Sequence, residues 1–335
     1  MLYSCTHSET ETSIRLSPSF YHWQTELAIT PQERAYLDAL KIRRIYAKFF
    51  DVDWDGQEQE AVPHAQIRID TMRLEGLEII PTIFITNRTM LHLPQGEVGV
   101  LAHRINDLIL RLGQQLPDWH ASEVQIDCDW SSRSQGTYFQ LLDTLRQLNV
   151  GKDIALSATI RLHQVRYAQE TGIPPVDRGM LMFYNMGDLE DWAEPNSILN
   201  LKKAQPYLTS SYTLPLDLAL PIFHWGVIFR AGRLIHLSTA LDELSLQDTA
   251  HFHKIGPGRF KVVKSTYLDG YYLYTDDLIR LEQIDQDSLL AASRMLREQI
   301  NQSETRVAFY HLDSTTIKKF PHENLQACLQ ELAEH

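Results

Sequence analysis

The stretch VQIDCDW at residues 124–130 has the pattern of a β-strand with two different faces. Because strand side chains alternate, Gln125, Asp127 and Asp129 share one face, and the apolar residues between them share the other. The apolar face suits packing beneath a helix, so the polar face is expected to point into a barrel. A buried carboxylate is costly unless it is paired or hydrogen-bonded. We therefore interpret Asp127 and Asp129 as candidate catalytic residues; the alternatives are a solvated edge strand or, for Asp129, a helix cap.

Seven further segments have the composition of short β-strands, and amphipathic segments lie between them. The predicted strands are Phe20–Glu26, Ile42–Phe50, Glu78–Ile85, Val124–Asp129, Ile154–Ile160, Gly179–Met186, Leu218–His224 and Arg306–His311. The predicted helices are Pro31–Leu40, Gly99–Gln114, Gly136–Leu148, Leu199–Leu208, Gln286–Ile300 and Glu323–Ala333. This alternation predicts an α/β fold, a parallel sheet closed as a (β/α)8 TIM barrel. The alternative, an open doubly wound sheet, lacks the Gly-rich loop expected after its first strand.

Some segments depart from the simple alternation. Residues 55–74 and 163–170 are weakly helical and could hold the helices after strands two and five. Residues 226–285, between strand seven and its helix, contain two strand-like runs and the turn signal GPG, which predict a small β-rich insertion. The predicted organisation is a flexible N-terminal tether at residues 1–17 followed by one barrel at residues 18–335.

The composition argues against several classes of function. The formal net charge of −12 and the scatter of basic residues argue against nucleic acid as a partner. The apolar stretches are too short for a transmembrane segment. Three cysteines are too few and too scattered for a disulfide framework or a zinc motif. The His-x-His motif of metal-dependent barrel hydrolases is missing after strand one, so a metal is not expected. No other cofactor is predicted.

The N-terminus leaves the cellular location open. Residues 2–5, which end at Cys5, resemble the cleavage box of bacterial lipoproteins, where the cysteine is lipidated and a polar tether follows. That resemblance implies a lipid anchor at Cys5 and a place at the cell envelope, in the periplasm or on the outer membrane, if translation starts upstream. The alternative is a frayed cytoplasmic N-terminus with an incidental cysteine.

Strand six adds a second motif, Met182-x-Tyr184-Asn185, in which the Tyr184 hydroxyl needs a partner such as Asp127. Taken alone, this motif is equally typical of core packing. Together with strand four it resembles a bacterial TIM-barrel family of unknown function, which is similar to the chitinase-like glycoside hydrolases. Those enzymes carry Asp-x-x-Asp-x-Asp-x-Glu on strand four, Met-x-Tyr-Asp on strand six and an insertion after strand seven. The resemblance implies a carbohydrate partner and catalytic roles for Asp127, Asp129 and Tyr184.

The chain departs from the chitinase-like pattern on three strands. Ser131 stands where the catalytic Glu is expected, and Val124 replaces the first Asp of the strand-four motif. Asn185 replaces the strand-six Asp, and residues 82–86 lack the small-residue motif expected on strand three. The substrate-assisted mechanism, in which a Glu protonates the leaving oxygen, therefore cannot be transferred whole.

Further candidates lie at the predicted strand ends, where barrel enzymes gather their functional groups. Glu26 is the candidate acid to act with Asp129, since glycosidases need two carboxyl groups, although such a residue is more often a surface charge. The candidate substrate-binding residues are Trp23, Trp130, Asn185, His224, Trp225 and Asp313. Tryptophans can stack on sugar rings, but barrels also bury large aromatic residues.

These observations predict a carbohydrate-processing barrel, with a glycoside hydrolase acting on a polysaccharide at the cell envelope as the leading interpretation. A non-catalytic carbohydrate-binding barrel is the first alternative, because the chitinase-like Glu is missing. A barrel of unrelated chemistry is the second, because fold does not fix function.

Overall fold

A closed barrel of parallel strands forms the body of the computed structural model, which describes residues 14–148, 153–208, 212–300 and 302–334. Its eight parallel strands, numbered one to eight below, are Arg15–His22, Arg44–Asp55, Glu78–Ile85, Glu123–Asp127, Ala155–Ile160, Arg178–Met182, Leu216–Pro221 and Glu304–Tyr310. Neighbours in the barrel follow the order of the chain, and strand one closes the barrel by pairing with strands eight and two. The prediction of a (β/α)8 TIM barrel is confirmed.

Helices pack against the outside of this barrel. The α-helices are Pro31–Ala39, Asn87–His92, Val98–Gly113, Gln135–Leu148, Leu162–Arg166, Ala168–Thr171, Leu201–Ala204, Gln286–Arg297, Ser314–Lys319 and His322–Ala333; 3-10 turns lie at Gln95–Glu97 and Gln205–Tyr207. Helix Val98–Gly113 buries Leu101, Ile105, Leu108 and Leu112 on one face, because its apolar residues recur every three or four positions. Within the described residues, every helix is too short or too polar to cross a bilayer.

Strand one differs from its prediction. It runs over Arg15–His22 and not over Phe20–Glu26, so its first residues fall inside the segment predicted to be a flexible tether. Pro18 lacks the backbone N–H that a ladder uses, but pairing with strand two begins only at Ser19, so Pro18 faces strand eight alone. The candidate lipid anchor at Cys5 lies outside the described residues, and the envelope location stays a prediction.

The segment after strand two forms a hairpin, so the helix suggested for residues 55–74 is wrong. Strand Glu60–His64 returns antiparallel to the end of strand two. In the turn, the Asp55 carboxylate accepts backbone hydrogen bonds from Gln57 and Glu58, which favours a turn over a helix. Further on, Arg68–Ile69 pairs with the short strand Glu26–Leu27.

An antiparallel sheet lies between strand seven and helix Gln286–Arg297. Its five strands are, in sheet order, Arg233–Ser238, His224–Arg230, Leu278–Gln283, Arg259–Val262 and Phe252–Gly256. A hairpin of Thr266–Leu268 and Tyr271–Leu273 accompanies this sheet. These elements share a core of their own that includes Ile228, Val262 and Ile279. The sheet occupies the segment for which the sequence predicts a β-rich insertion.

Buried ion pairs fill the barrel near the amino-terminal ends of its strands. Glu123, the first residue of strand four, pairs with Arg306 of strand eight and accepts a hydrogen bond of 2.5 Å from Ser157. Asp217 of strand seven pairs with Arg178 of strand six at 2.5 Å. This end of the barrel is therefore filled by mutually paired charges, which leaves the carboxyl ends of the strands as the place where a site can form.

Candidate functional site

A cavity of about 480 Å³ lies at the carboxyl ends of the barrel strands. Its lining includes Trp23 after strand one, Asp127 at the end of strand four and Tyr310 at the end of strand eight. A smaller cavity of about 280 Å³ adjoins it. Four residues line both cavities: Arg161, Met182, Tyr184 and Asn185. The two cavities therefore adjoin along these side chains, and together we call them the groove.

Aromatic side chains form one wall of the larger cavity: Trp23, Tyr184, Phe223, Trp225 and Tyr310. The Tyr310 ring is central, with centroid distances of 5.7 Å to Trp23, 5.2 Å to Tyr184 and 5.6 Å to Phe223. The Phe223 ring contacts Trp225 at 5.2 Å. Neither Phe223 nor Tyr310 is predicted from the sequence, although each stands one residue before a predicted strand end.

Asp127 and Arg161 form the charged centre of the groove. The Asp127 carboxylate accepts a hydrogen bond of 2.6 Å from the Thr159 hydroxyl, and the Arg161 guanidinium lies 3.6 Å from it. Burial raises the pKa of Asp127, while Arg161 and the Thr159 hydrogen bond oppose that rise. The predicted bond between Tyr184 and Asp127 is wrong, because the Tyr184 hydroxyl lies 3.6 Å from the Met182 sulfur and Arg161 is the partner of Asp127.

Arg161 is also absent from the residues predicted from the sequence, although the chain carries a signal for it. Strand five reads ALSATI before Arg161, so Ser157, Thr159 and Arg161 alternate as the polar residues of strand four do. The two strands are matched inside the barrel: the Gln125 amide donates to Ser157 at 3.3 Å, and Thr159 donates to Asp127. The period that identified Asp127 therefore also predicts that Arg161 lies on the inner face of the next strand, as a candidate partner.

Asp129 lies at the mouth of the barrel and not inside it. Strand four ends at Asp127, and Asp129 is exposed where it lines the smaller cavity. Ser131, at the position of the chitinase-like acid, donates its backbone N–H to the Ser134 hydroxyl at 2.9 Å, and its carbonyl accepts from Gln135. That position therefore lies at the turn that leads into helix Gln135–Leu148, and it carries no acid.

Two predicted site residues lie away from the groove. Trp130 is 1% exposed, stacks on Tyr138 at 5.2 Å and donates to the Thr171 carbonyl at 2.9 Å, so its prediction as a sugar-binding residue is wrong. Glu26 has a side chain that is 57% exposed and pairs with Arg68 at 3.2 Å. Because strand one ends at His22, Glu26 falls outside both cavities and is not placed to act with Asp129.

The other predicted binding residues line the larger cavity: Trp23, Asn185, His224, Trp225 and Asp313. Their roles stay predictions. Burial and the Lys319 ammonium, 2.9 Å from the imidazole, lower the pKa of His224. Burial alone would raise the pKa of Asp313, but hydrogen bonds from Thr315 and Thr316, at the start of helix Ser314–Lys319, lower it below its usual value.

Acid is expected to destabilise the fold through His22, which is buried at the end of strand one. Burial and the nearby His311 lower the pKa of His22 from 6.5 to about 4. The unfolded chain binds this proton near pH 6.5 and the folded chain only near pH 4, so stability present above pH 6.5 is lost as the pH falls to about 4. This shift corresponds to about 3 kcal/mol in the free energy of unfolding.

Urea unfolding of wild type and His22→Asn at neutral pH and near pH 4 measures this loss. The variant should lose less stability on acidification, whereas His253→Asn, at an exposed histidine, should behave as wild type. An equal acid loss in wild type and His22→Asn would contradict the prediction.

A metal site would need several ligands in one place. Among the described residues, no group of three or more His, Cys, Asp or Glu side chains is arranged to hold a metal ion. The groove instead presents aromatic rings around one ion pair, Asp127 and Arg161. Such a surface can stack against the C–H faces of a ligand and hydrogen-bond its polar groups at the centre.

No protein-family model and no curated protein sequence matches this chain. Among solved structures, the spore cortex-lytic enzyme SleL of Bacillus cereus is similar with a TM-score of 0.55 and 12% identity, over 95% of this chain and 75% of that one. The chitinase of Chromobacterium violaceum has a TM-score of 0.55 and 10% identity, over 96% of this chain and 100% of that one. The Group IV chitinase of Ostrinia furnacalis, solved with allosamidin, has a TM-score of 0.54 and 11% identity. The match covers 96% of this chain and 100% of that one. At such identities the likeness shows the fold: this chain is a barrel that distantly resembles the chitinase-like glycoside hydrolases.

Proposed function

We propose that this barrel binds a carbohydrate chain in the groove. The observation that carries the proposal is the aromatic wall around Tyr310, which stands beside the Asp127–Arg161 pair. Sugar rings have apolar C–H faces and polar rims, so they bind where aromatic rings and a few fixed polar groups converge. The similar structures, which are chitinases and a spore cortex-lytic enzyme, support the same class of ligand.

The shape of the groove favours a chain of sugars over a single one. The cavities of about 480 Å³ and 280 Å³ meet at Arg161, Tyr184 and Asn185, so a ligand that fills both must pass these residues. Asp127 faces the larger cavity and Asp129 the smaller one. A linear oligosaccharide or polysaccharide laid along the groove would contact both.

The charge at the centre favours binding without hydrolysis. Glycoside hydrolysis passes through an oxocarbenium-like transition state and uses two carboxyl groups. Here Ser131 stands at the position of the acid, and Arg161 brings a positive charge to within 3.6 Å of Asp127. A guanidinium beside the reacting carbon would oppose the developing positive charge.

Glycoside hydrolysis is the second candidate, and one observation favours it. Burial raises the pKa of Asp127 inside the cavity, which is the property of a general acid. If this candidate is correct, Asp127→Asn or Asp129→Asn should reduce release of reducing ends by about 10²-fold or more. Release that continues at full rate in both variants would place the chemistry elsewhere.

A glycan panel tests the proposal directly. Fragments of chitin, peptidoglycan, cellulose and β-glucan would be assayed for binding and for reducing-end release. At least one class should bind, and Tyr310→Ala or Trp23→Ala should weaken that binding by roughly tenfold, because each removes a stacking ring. Trp23→Phe is the matched control, since it keeps a flat ring and should retain most of the affinity. Binding to none of the panel, or binding that ignores both alanine variants, would overturn the proposal.

A further inference from the structure

The hairpin of Thr266–Leu268 and Tyr271–Leu273 has two unlike faces. Its cross-strand pairs are Thr266 with Leu273, Tyr267 with Tyr272, and Leu268 with Tyr271. Leu273 is buried, and Leu268 and Tyr271 pack against the core of the insertion. Because strand side chains alternate, Tyr267, Tyr272 and the following Tyr274 lie on the opposite, outer face.

These outer tyrosines form a continuous exposed strip. Their exposed fractions are 73% for Tyr267, 37% for Tyr272 and 52% for Tyr274, and successive ring centroids lie 4.7 and 4.8 Å apart. Arg230 covers one end, 4.4 Å from the Tyr274 ring, but Asp277 binds that guanidinium at 2.9 and 2.7 Å. Single exposed apolar residues are normal, whereas three contiguous aromatic rings on a solvent face are not. The strip is therefore aromatic, and the cation at its Tyr274 end is neutralised by Asp277.

The hairpin that carries the tyrosine strip is fixed at the rim of the groove. Asp269, in the turn of the hairpin, accepts a hydrogen bond of 2.7 Å from the Ser238 hydroxyl. The next residue, Thr239, lines the larger cavity. On the inner face, Tyr271 stacks in parallel on His236 with a centroid distance of 4.4 Å. The hairpin is thus joined, through Ser238 and His236, to the strand that leads to the cavity-lining residue Thr239.

We propose that the tyrosine strip is a second carbohydrate-binding surface, which holds a neutral polysaccharide chain that extends beyond the groove. The inference rests on the proposed function, because it takes the groove as the first binding site. Flat rings bearing hydroxyl groups match the C–H faces and hydroxyls of pyranose units. The pairing of Arg230 with Asp277 offsets the guanidinium that contacts the strip, so this cation is not free to select an anionic ligand. Once one segment of a polysaccharide is bound in the groove, its next segment is held near the tyrosine strip at a high effective concentration. Binding at the strip then raises the total affinity.

The test compares polymers with short oligomers on the full chain. The probes are glycol chitin and hydroxyethyl cellulose, with chitotriose and cellotriose as the short ligands. A variant with serine at all three strip positions should bind the preferred polymer about tenfold more weakly and bind the trisaccharide as wild type does. The corresponding triple phenylalanine variant is the control and should keep most polymer affinity, since it retains the rings.

The outcomes separate this inference from the proposed function. If neither these probes nor any fragment of the glycan panel binds the wild type, both proposals fail. If a panel fragment binds but neither neutral polymer does, only the strip proposal fails. If the trisaccharide binds but the serine variant binds polymer as tightly as wild type, only the strip fails. Light scattering tests whether the strip is instead a contact between two copies of the chain. If the wild type is a dimer and the serine variant is a monomer with unchanged polymer affinity, the proposal is overturned. Because the three tyrosines are exposed, the serine variant is expected to fold. Thermal melting checks its fold independently of polymer affinity.

Discussion

Glu282→Ala is expected to lower the free energy of unfolding by about 3–5 kcal/mol, as loss of one partner from a buried ion pair does. The Arg280 and Glu282 side chains are both 0% exposed, and the Arg280 Nε lies 2.5 Å from the Glu282 carboxylate. Alanine would leave the guanidinium buried without its counter-charge. Glu282 also accepts hydrogen bonds from Trp225 at 2.8 Å and from the Ser197 backbone at 2.9 Å. The change would therefore also release Trp225, which lines the larger cavity.

Urea unfolding at neutral pH measures this effect, and two controls define its cause. Glu282→Gln keeps the shape and one carbonyl acceptor, so it should cost less than alanine. Glu243→Ala removes a carboxylate of the same insertion that pairs with Lys254 at 3.5 Å on the surface, and should cost less than about 1 kcal/mol. A loss for Glu282→Ala as small as that for Glu243→Ala would show that the buried pair does not stabilise the fold.

Arg161→Met is expected to cost a similar amount, about 3–5 kcal/mol at neutral pH. The side chain of Asp127 is only 5% exposed, so its carboxylate would stay buried without a cation. The pKa of Asp127, already raised by burial, would rise further without Arg161. A carboxyl with a raised folded-state pKa contributes stability at low pH and loses it as the pH rises through that pKa. The deficit of Arg161→Met relative to wild type should therefore grow from acid toward neutral pH.

A double-mutant cycle isolates the pair. Asp127→Asn removes the charge at nearly constant size, so Asp127→Asn combined with Arg161→Met should be more stable than the sum of the single losses predicts. A recovery of at least about 1 kcal/mol is expected for residues in direct contact. Strictly additive losses, or a deficit for Arg161→Met that is independent of pH, would contradict the assignment of Arg161 as the partner of Asp127.

Local periodicity was enough to predict the inner face of strand four. Gln125 and Asp127 point into the barrel because alternation depends only on the extended backbone, and each meets a partner from strand five. The same rule applied to strand five would have added Arg161. The order of strands and helices was predictable for the same reason, since each element carries its own period.

Strand ends were the main source of error. Trp130 comes three residues after strand four and packs into the core, whereas Trp225 follows strand seven and reaches the cavity. Glu26 was expected at the end of strand one, which stops at His22. A strand ends where its neighbours cease to pair with it, and those neighbours are encoded elsewhere in the chain. A shift of a few residues moves a side chain between core, groove and surface.

The sequence by itself determined the barrel class, the β-rich segment before helix Gln286–Arg297 and the inward direction of Asp127, because each follows from local composition and periodicity. Only the tertiary structure decided which residues meet in the groove. The Trp23 and Tyr310 rings come from opposite ends of the chain and touch because strand one closes the barrel against strand eight. Which charge neutralises Asp127, and whether a tryptophan is buried or open to a ligand, depends on contacts of this kind, since they form only when distant segments pack together.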